Sequence, residues 1–166
     1  LKDGIFPSVY RTEMEAITVD GEKVERSKGW ETGYWTNSDR VPRKFGVTDQ
    51  WYHVLDASWT CLLMLRWYEE LEADPRLLER AKVYAGKLLA LQDADGFFPA
   101  WLDPETLAPS SVLAQSPETS MSVTFLLKLA ELTQETRYRT AALRAMDAVL
   151  REIVPNGRWE DFETYW

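Results

Sequence analysis

The chain has 166 residues, 45% of them hydrophobic, which suits a single domain with an ordinary core and makes extensive disorder unexpected. A formal net charge of −8 with one histidine excludes the clustered Lys and Arg that a nucleic-acid partner requires. No uncharged apolar run approaches the roughly twenty residues of a membrane span, and Cys61, alone in an apolar stretch, reads as a small buried hydrophobe. The chain opens at Leu1 without a basic and apolar leader, so the expectation is a soluble protein, cytoplasmic or secreted with its leader removed.

The first element in chain order is a corner, Asp3-Gly4-Ile5-Phe6-Pro7. Residues 11–50 then form a loop-rich insertion. Within it, Ile17 to Val24 predicts a small β-hairpin near residues 15–26, because its Asp20-Gly21 pair tolerates the positive φ angles of a tight turn. The rest of the insertion carries Trp30, Tyr34 and Trp35, and an aromatic loop of this length suggests a functional role.

A helix is predicted from Asp49 or Gln50 to about Ala73, capped by Asp49 and apolar nearly all round between Trp59 and Tyr68, hence buried on every side. Asp74-Pro75 starts a second, amphipathic helix that runs to about Gln92. After a rim loop over 93–116, Ser116-Pro117 starts a mostly apolar helix of 117–133, followed by an amphipathic one of 137–154. Residues 155–166 read as the beginning of another rim loop.

The corner recurs as Asp95-Gly96-Phe97-Phe98-Pro99 and, without proline, as Asn156-Gly157-Arg158-Trp159. A displacement of 61 positions superposes residues 62–98 on the following unit with seven identities, among them Leu65 on Leu126, Glu70 on Glu131 and Arg76 on Arg137. Unrelated sequence would give about two or three, so the chain contains an internal repeat of helical hairpins.

The segment Gln92-Asp93-Ala94-Asp95-Gly96-Phe97-Phe98, after Leu88-Leu89, resembles the Gln-x3-Gly-x-Trp/Phe element of α/α-toroid proteins, a group that includes terpenoid cyclases, pectate lyases and six-hairpin glycosidases. The likeness extends over about residues 50–166. It departs at Lys87, where an aromatic is usual, and at Ile153, which replaces the second glutamine. The resemblance implies an all-α fold: one domain over 1–166, with hairpins at 50–92 and 117–154, apolar helices inside and amphipathic ones outside. This would be a partial toroid with the small β-hairpin inserted. Two hairpins do not close such a ring. The expectation is therefore a piece of a longer protein, with the aromatic end Phe162 to Trp166 part of an open face, or self-association through the unfinished ends.

In that arrangement the long connections gather on one rim, as binding loops do. His53, Asp56 and Glu118, in the first turns of the inner helices, are the candidate catalytic residues. Asp56 lies one turn beyond His53, so the two share a face with Thr60, and a carboxylate before an apolar body has to be paired or to face water. Each has a plainer role as well: His53 as a structural histidine, Asp56 as a brace of the rim, Glu118 as a favourable charge at a helix start. Asp93 and Asp95 read as turn residues that lack the other ligands of a calcium loop, so no metal or cofactor is expected. Glu160 and Asp161 are modest candidates for a second carboxylate.

Tyr34, Trp35, Phe98, Trp101 and Trp159 in predicted loops suit the flat C–H faces of sugars, and Arg43 in a basic run suits the carboxylate of a uronate. The expected function is that of a carbohydrate-active enzyme, a glycoside hydrolase or polysaccharide lyase, acting on an oligosaccharide or polysaccharide. Asp56 and Glu118 would form its carboxylate pair. Two alternatives stand beside it: a non-enzymatic helical scaffold for protein partners, and a cyclase-like enzyme acting on an isoprenoid. The second lacks the Asp-x-Asp-Asp cluster of terpenoid cyclases.

Overall fold

The computed structural model describes residues 4–38 and 40–160. Asp3 of the first corner, Asp161 and the aromatic end lie outside the described residues.

Among the described residues four α-helices form two hairpins: α1 (Val54–Glu70) with α2 (Pro75–Leu91), and α3 (Thr119–Thr133) with α4 (Thr136–Ala148). A turn of π-helix over Val149–Ile153 extends α4. The six short strands among the described residues make three two-stranded antiparallel sheets. β1 (Val9–Arg11) pairs with β4 (Tyr34–Thr36), β2 (Met14–Val19) with β3 (Glu22–Ser27), and β5 (Tyr52–His53) with β6 (Trp101–Leu102).

The expectation of an all-α toroid is overturned. Helix accounts for 47% and strand for 15%, which makes the protein mixed α and β. Strands β1 and β4 are rich in aromatic and β-branched residues, but their partners lie more than twenty positions apart, and such non-local pairing leaves no periodic mark. The hairpin of β2 and β3 is local. Asp20 and Gly21 at its tip take φ of 52° and 87°, and Val19 faces Glu22.

Helix α1 starts at Val54 instead of position 49 or 50, because the chain first pairs as β5 and delivers Val54 N–H to the carbonyl of Ala100 at 2.8 Å. At α2, Asp74 Oδ1 accepts from Arg76 N at 2.9 Å with Pro75 in the first turn. At α3 the Ser116 hydroxyl makes no cap; it is buried without a hydrogen-bond partner, and Glu118 is the N-cap residue.

Helices α1 and α3 pack side by side, with α2 against α1 and α4 against α3. The shared core includes Cys61, Leu65, Tyr84, Leu88, Phe125, Leu126, Leu129 and Tyr138. Helix α1 is not buried on every side: Trp59, Leu63 and Trp67 are each about half exposed on the flank that neither α2 nor α3 covers. A buried chain of hydroxyls ties α1, α2 and α3 together. Tyr84 OH donates to the carbonyl of Val54 at 3.1 Å, and Ser58 Oγ lies 2.8 Å from Tyr84 OH and 2.9 Å from Ser122 Oγ. Since the tyrosine proton goes to Val54, Ser58 donates to Tyr84 and accepts from Ser122.

The corner at 92–98 is anchored on α4. Asp93 Oδ1 accepts from Gly96 N and Phe97 N, Gln92 Nε2 donates to the carbonyls of Gly96 and Ala141, and Arg144 donates to those of Asp93 and Ala94. Asp93 therefore supports the turn through hydrogen bonds, and Asp95 accepts from Gln115 Nε2 at 2.9 Å. The corner directs Phe98 into the main core and leads on to β6.

Candidate functional site

The pairing of β5 with β6 sets His53 opposite Trp101. Their rings stack with centroids 4.0 Å apart and planes within 7°, and both residues are buried. On one side of the imidazole, Nδ1 stands 3.2 Å from Asp56 Oδ2, the contact made possible by the i,i+3 spacing at the start of α1. On the other side, Nε2 stands 3.0 Å from Glu118 Oε2 at the start of α3. Three residues 65 positions apart at their extremes thus become one cluster.

Burial by itself pushes the His53 pKa down, but the hydrogen bonds and charges of Asp56 and Glu118 outweigh it and raise the ring to about 9. His53 is therefore an imidazolium at neutral pH, lying flat on the electron-rich face of Trp101. Asp56 feels the opposite balance. Burial pushes its carboxyl up, while His53 and a hydrogen bond from Ser8 Oγ at 3.1 Å hold it below the usual range.

The two carboxylates differ sharply in access. The side chain of Glu118 is 3% exposed and that of Asp56 29%. Asp56 opens into a cleft of about 310 Å³ lined by Ser8, Ser38, Arg40, Trp59 and Thr60, with His53 at its base. The contacts from His53 and Ser8 both fall on Asp56 Oδ2.

Asp56 and Glu118 do not flank a space as a hydrolytic pair would. They bind opposite nitrogens of one ring, and the imidazole fills the gap between them. For the same reason the three groups do not converge on a point where a metal ion could sit, and no such cluster occurs among the described residues.

The aromatic candidates divide. Trp101 is fully buried beneath His53 and Phe98 is 1% exposed, so neither can stack on a ligand; the β5 and β6 pairing and the main core enclose them. Tyr34, Trp35 and Trp159 are exposed. Trp35 and Trp30 both pack on Tyr10, the first edge-on and the second stacked. Arg43 lies 3.4 Å from Asp49 on the surface and does not line the Asp56 cleft. Glu160 borders a different hollow, with Arg158 and Gln115.

Sequence reasoning misses Ser8, Arg40 and Trp59 as neighbours of Asp56. Ser8 follows Pro7 in the first corner where Ala100 follows Pro99 in the second, and that difference is the only mark of its role. Trp59 reads as core because α1 is apolar on nearly all faces. No protein-family model, curated protein or solved structure matches the chain.

Proposed function

We propose that the protein recognises carbohydrate, with the Asp56 cleft as its sugar site. One observation carries the proposal: the Asp56 carboxylate, held by His53 and Ser8 through a single oxygen and 29% exposed, lines a cleft together with Trp59. An ionised carboxylate accepts strongly from hydroxyl groups. Trp59, half exposed, offers a flat apolar surface to the C–H face of a sugar ring.

Hydrolysis of a glycosidic bond calls for two carboxylates on either side of it. Glu118 lies behind the His53 ring, and Asp56, held below its usual range, stays ionised and acts as acceptor or base instead of acid. Recognition therefore fits this cleft better than hydrolysis.

Calorimetric titration with a panel of mono- and oligosaccharides tests the proposal. The wild type is expected to bind at least one member, and Asp56→Asn to weaken that binding about tenfold or more, with the circular dichroism spectrum unchanged. Failure of the wild type to bind any member, or equal binding by the variant, overturns it.

A further inference from the structure

The Asp56 cleft continues beyond its polar residues. Thr60, one turn further along α1, also lines a second hollow of about 590 Å³, walled by Phe6, Pro7, Trp35, Met64 and Val83. On the facing wall the boundary falls between consecutive residues, since Pro7 lines the apolar hollow and Ser8 the polar cleft.

Both walls carry the same gradient. On α1, positions 56, 60 and 64 share one face at i,i+4 spacing and read Asp, Thr, Met, from charge through hydroxyl to thioether. The facing segment reads Ser8, Pro7, Phe6 in the matching direction. Segment 4–8 is fixed in place at both ends. Gly4 lies against Val83 so closely that a Cβ would stand 2.9 Å from it, and Ser8 Oγ bonds Asp56 at 3.1 Å. The charged wall residue Arg80 is exposed, so its methylene stem can lie over an apolar guest while its head stays in water.

A free sugar at Asp56 would leave the larger hollow unfilled. The two spaces together remain within the roughly 300–1,000 Å³ of small-ligand sites. We infer that the ligand is an amphipathic glycoside, its sugar at Asp56 and its apolar aglycone, an alkyl chain or aryl ring, between Phe6, Trp35, Met64 and Val83. The inference rests on the sugar reading of the Asp56 cleft and adds the other half of the ligand.

The test is calorimetry on the full chain with matched methyl and hexyl β-glycosides of glucose, galactose, mannose and xylose, and with hexanol as the aglycone alone. For the sugar that binds, the hexyl form is expected to bind at least about tenfold tighter, because each methylene removed from water contributes about fourfold. Trp35→Ala should bring that ratio toward one, and Asp56→Asn should weaken both forms. Equal affinity of methyl and hexyl forms overturns the inference and leaves the sugar reading standing. Binding of hexanol with no glycoside preference, unaffected by Asp56→Asn, overturns both.

Discussion

Val83 on α2 and Arg144 on α4, 61 positions apart, are equivalent residues, and each sets its carbonyl oxygen against the glycine of a Gly-x-Phe-Pro corner. A Cβ on Gly4 would stand 2.9 Å from the Val83 oxygen, and one on Gly96 2.8 Å from the Arg144 oxygen. Both glycines have positive φ, 88° and 110°. The internal repeat is thus present in space as well as in sequence, with each corner resting on the second helix of the hairpin that follows it.

Gly96→Ala is accordingly expected to destabilise the fold by about 2–4 kcal/mol, combining a strained backbone with a clash against Arg144 and Ala148. Gly157, whose φ is 60° and whose surroundings are open, provides the control. Its alanine variant is expected to lose only about 1 kcal/mol. Urea denaturation compares the two, and equal losses would show that packing against α4 does not matter.

The chain has one histidine, so its ring resonances can be followed without assignment. His53 is expected to titrate near pH 9 by NMR, against an ordinary value of 6.5. Because the folded value is raised, the stabilisation it brings, on the order of 3 kcal/mol, is complete below pH 6.5 and is lost as pH rises through 9. Asp56, whose folded value is lowered, contributes above its ordinary 3.8 and loses that contribution as pH falls through the lowered value. Melting temperature should therefore peak between about pH 4 and 6.5 and decline toward 9. Glu118→Gln should move the His53 midpoint down; an unmoved midpoint would dissociate the two residues.

Ser58→Ala is expected to cost about 1–3 kcal/mol although it removes a single oxygen, since the Ser122 hydroxyl would lose its acceptor and Tyr84 would keep only its bond to Val54 in a dry interior. Thermal denaturation decides the matter. A loss below about 0.5 kcal/mol would mean that the hydroxyl chain does not bind α1 to α2 and α3.

Trp67→Ser should cost about 1–2 kcal/mol, because only half of this ring is buried. An inner helix enclosed on all sides would instead lose about 3–5 kcal/mol on such a truncation. Chemical denaturation separates the two outcomes. In the same experiment Cys61, fully buried and with its thiol pushed up by burial, should resist a thiol reagent until the chain unfolds.

Local signals carry much of the architecture. Asp74-Pro75 marks the start of α2 because an aspartate cap and a first-turn proline act within a few residues of chain. Asp20-Gly21 marks a hairpin for the same reason. The strands paired at a distance read as loop along the chain. The helical signal at Asp49 precedes the true start of α1, because residues 52–53 take their partners from 101–102.

The residue types of the candidate site are also legible in the chain: a histidine and two carboxylates in first turns. Their roles are not. Which carboxylate meets solvent depends on where α3 packs against α1, and that packing places Glu118 behind the imidazole and leaves Asp56 in front. The burial of Trp101, like the union of Ser8, Asp56 and Thr60 along one groove, comes from contacts between distant segments. Helical periodicity, caps and turns are properties of neighbouring residues and can be read along the chain. Exposure, charge pairing and the shape of a cleft belong to surfaces that exist only once the chain has folded.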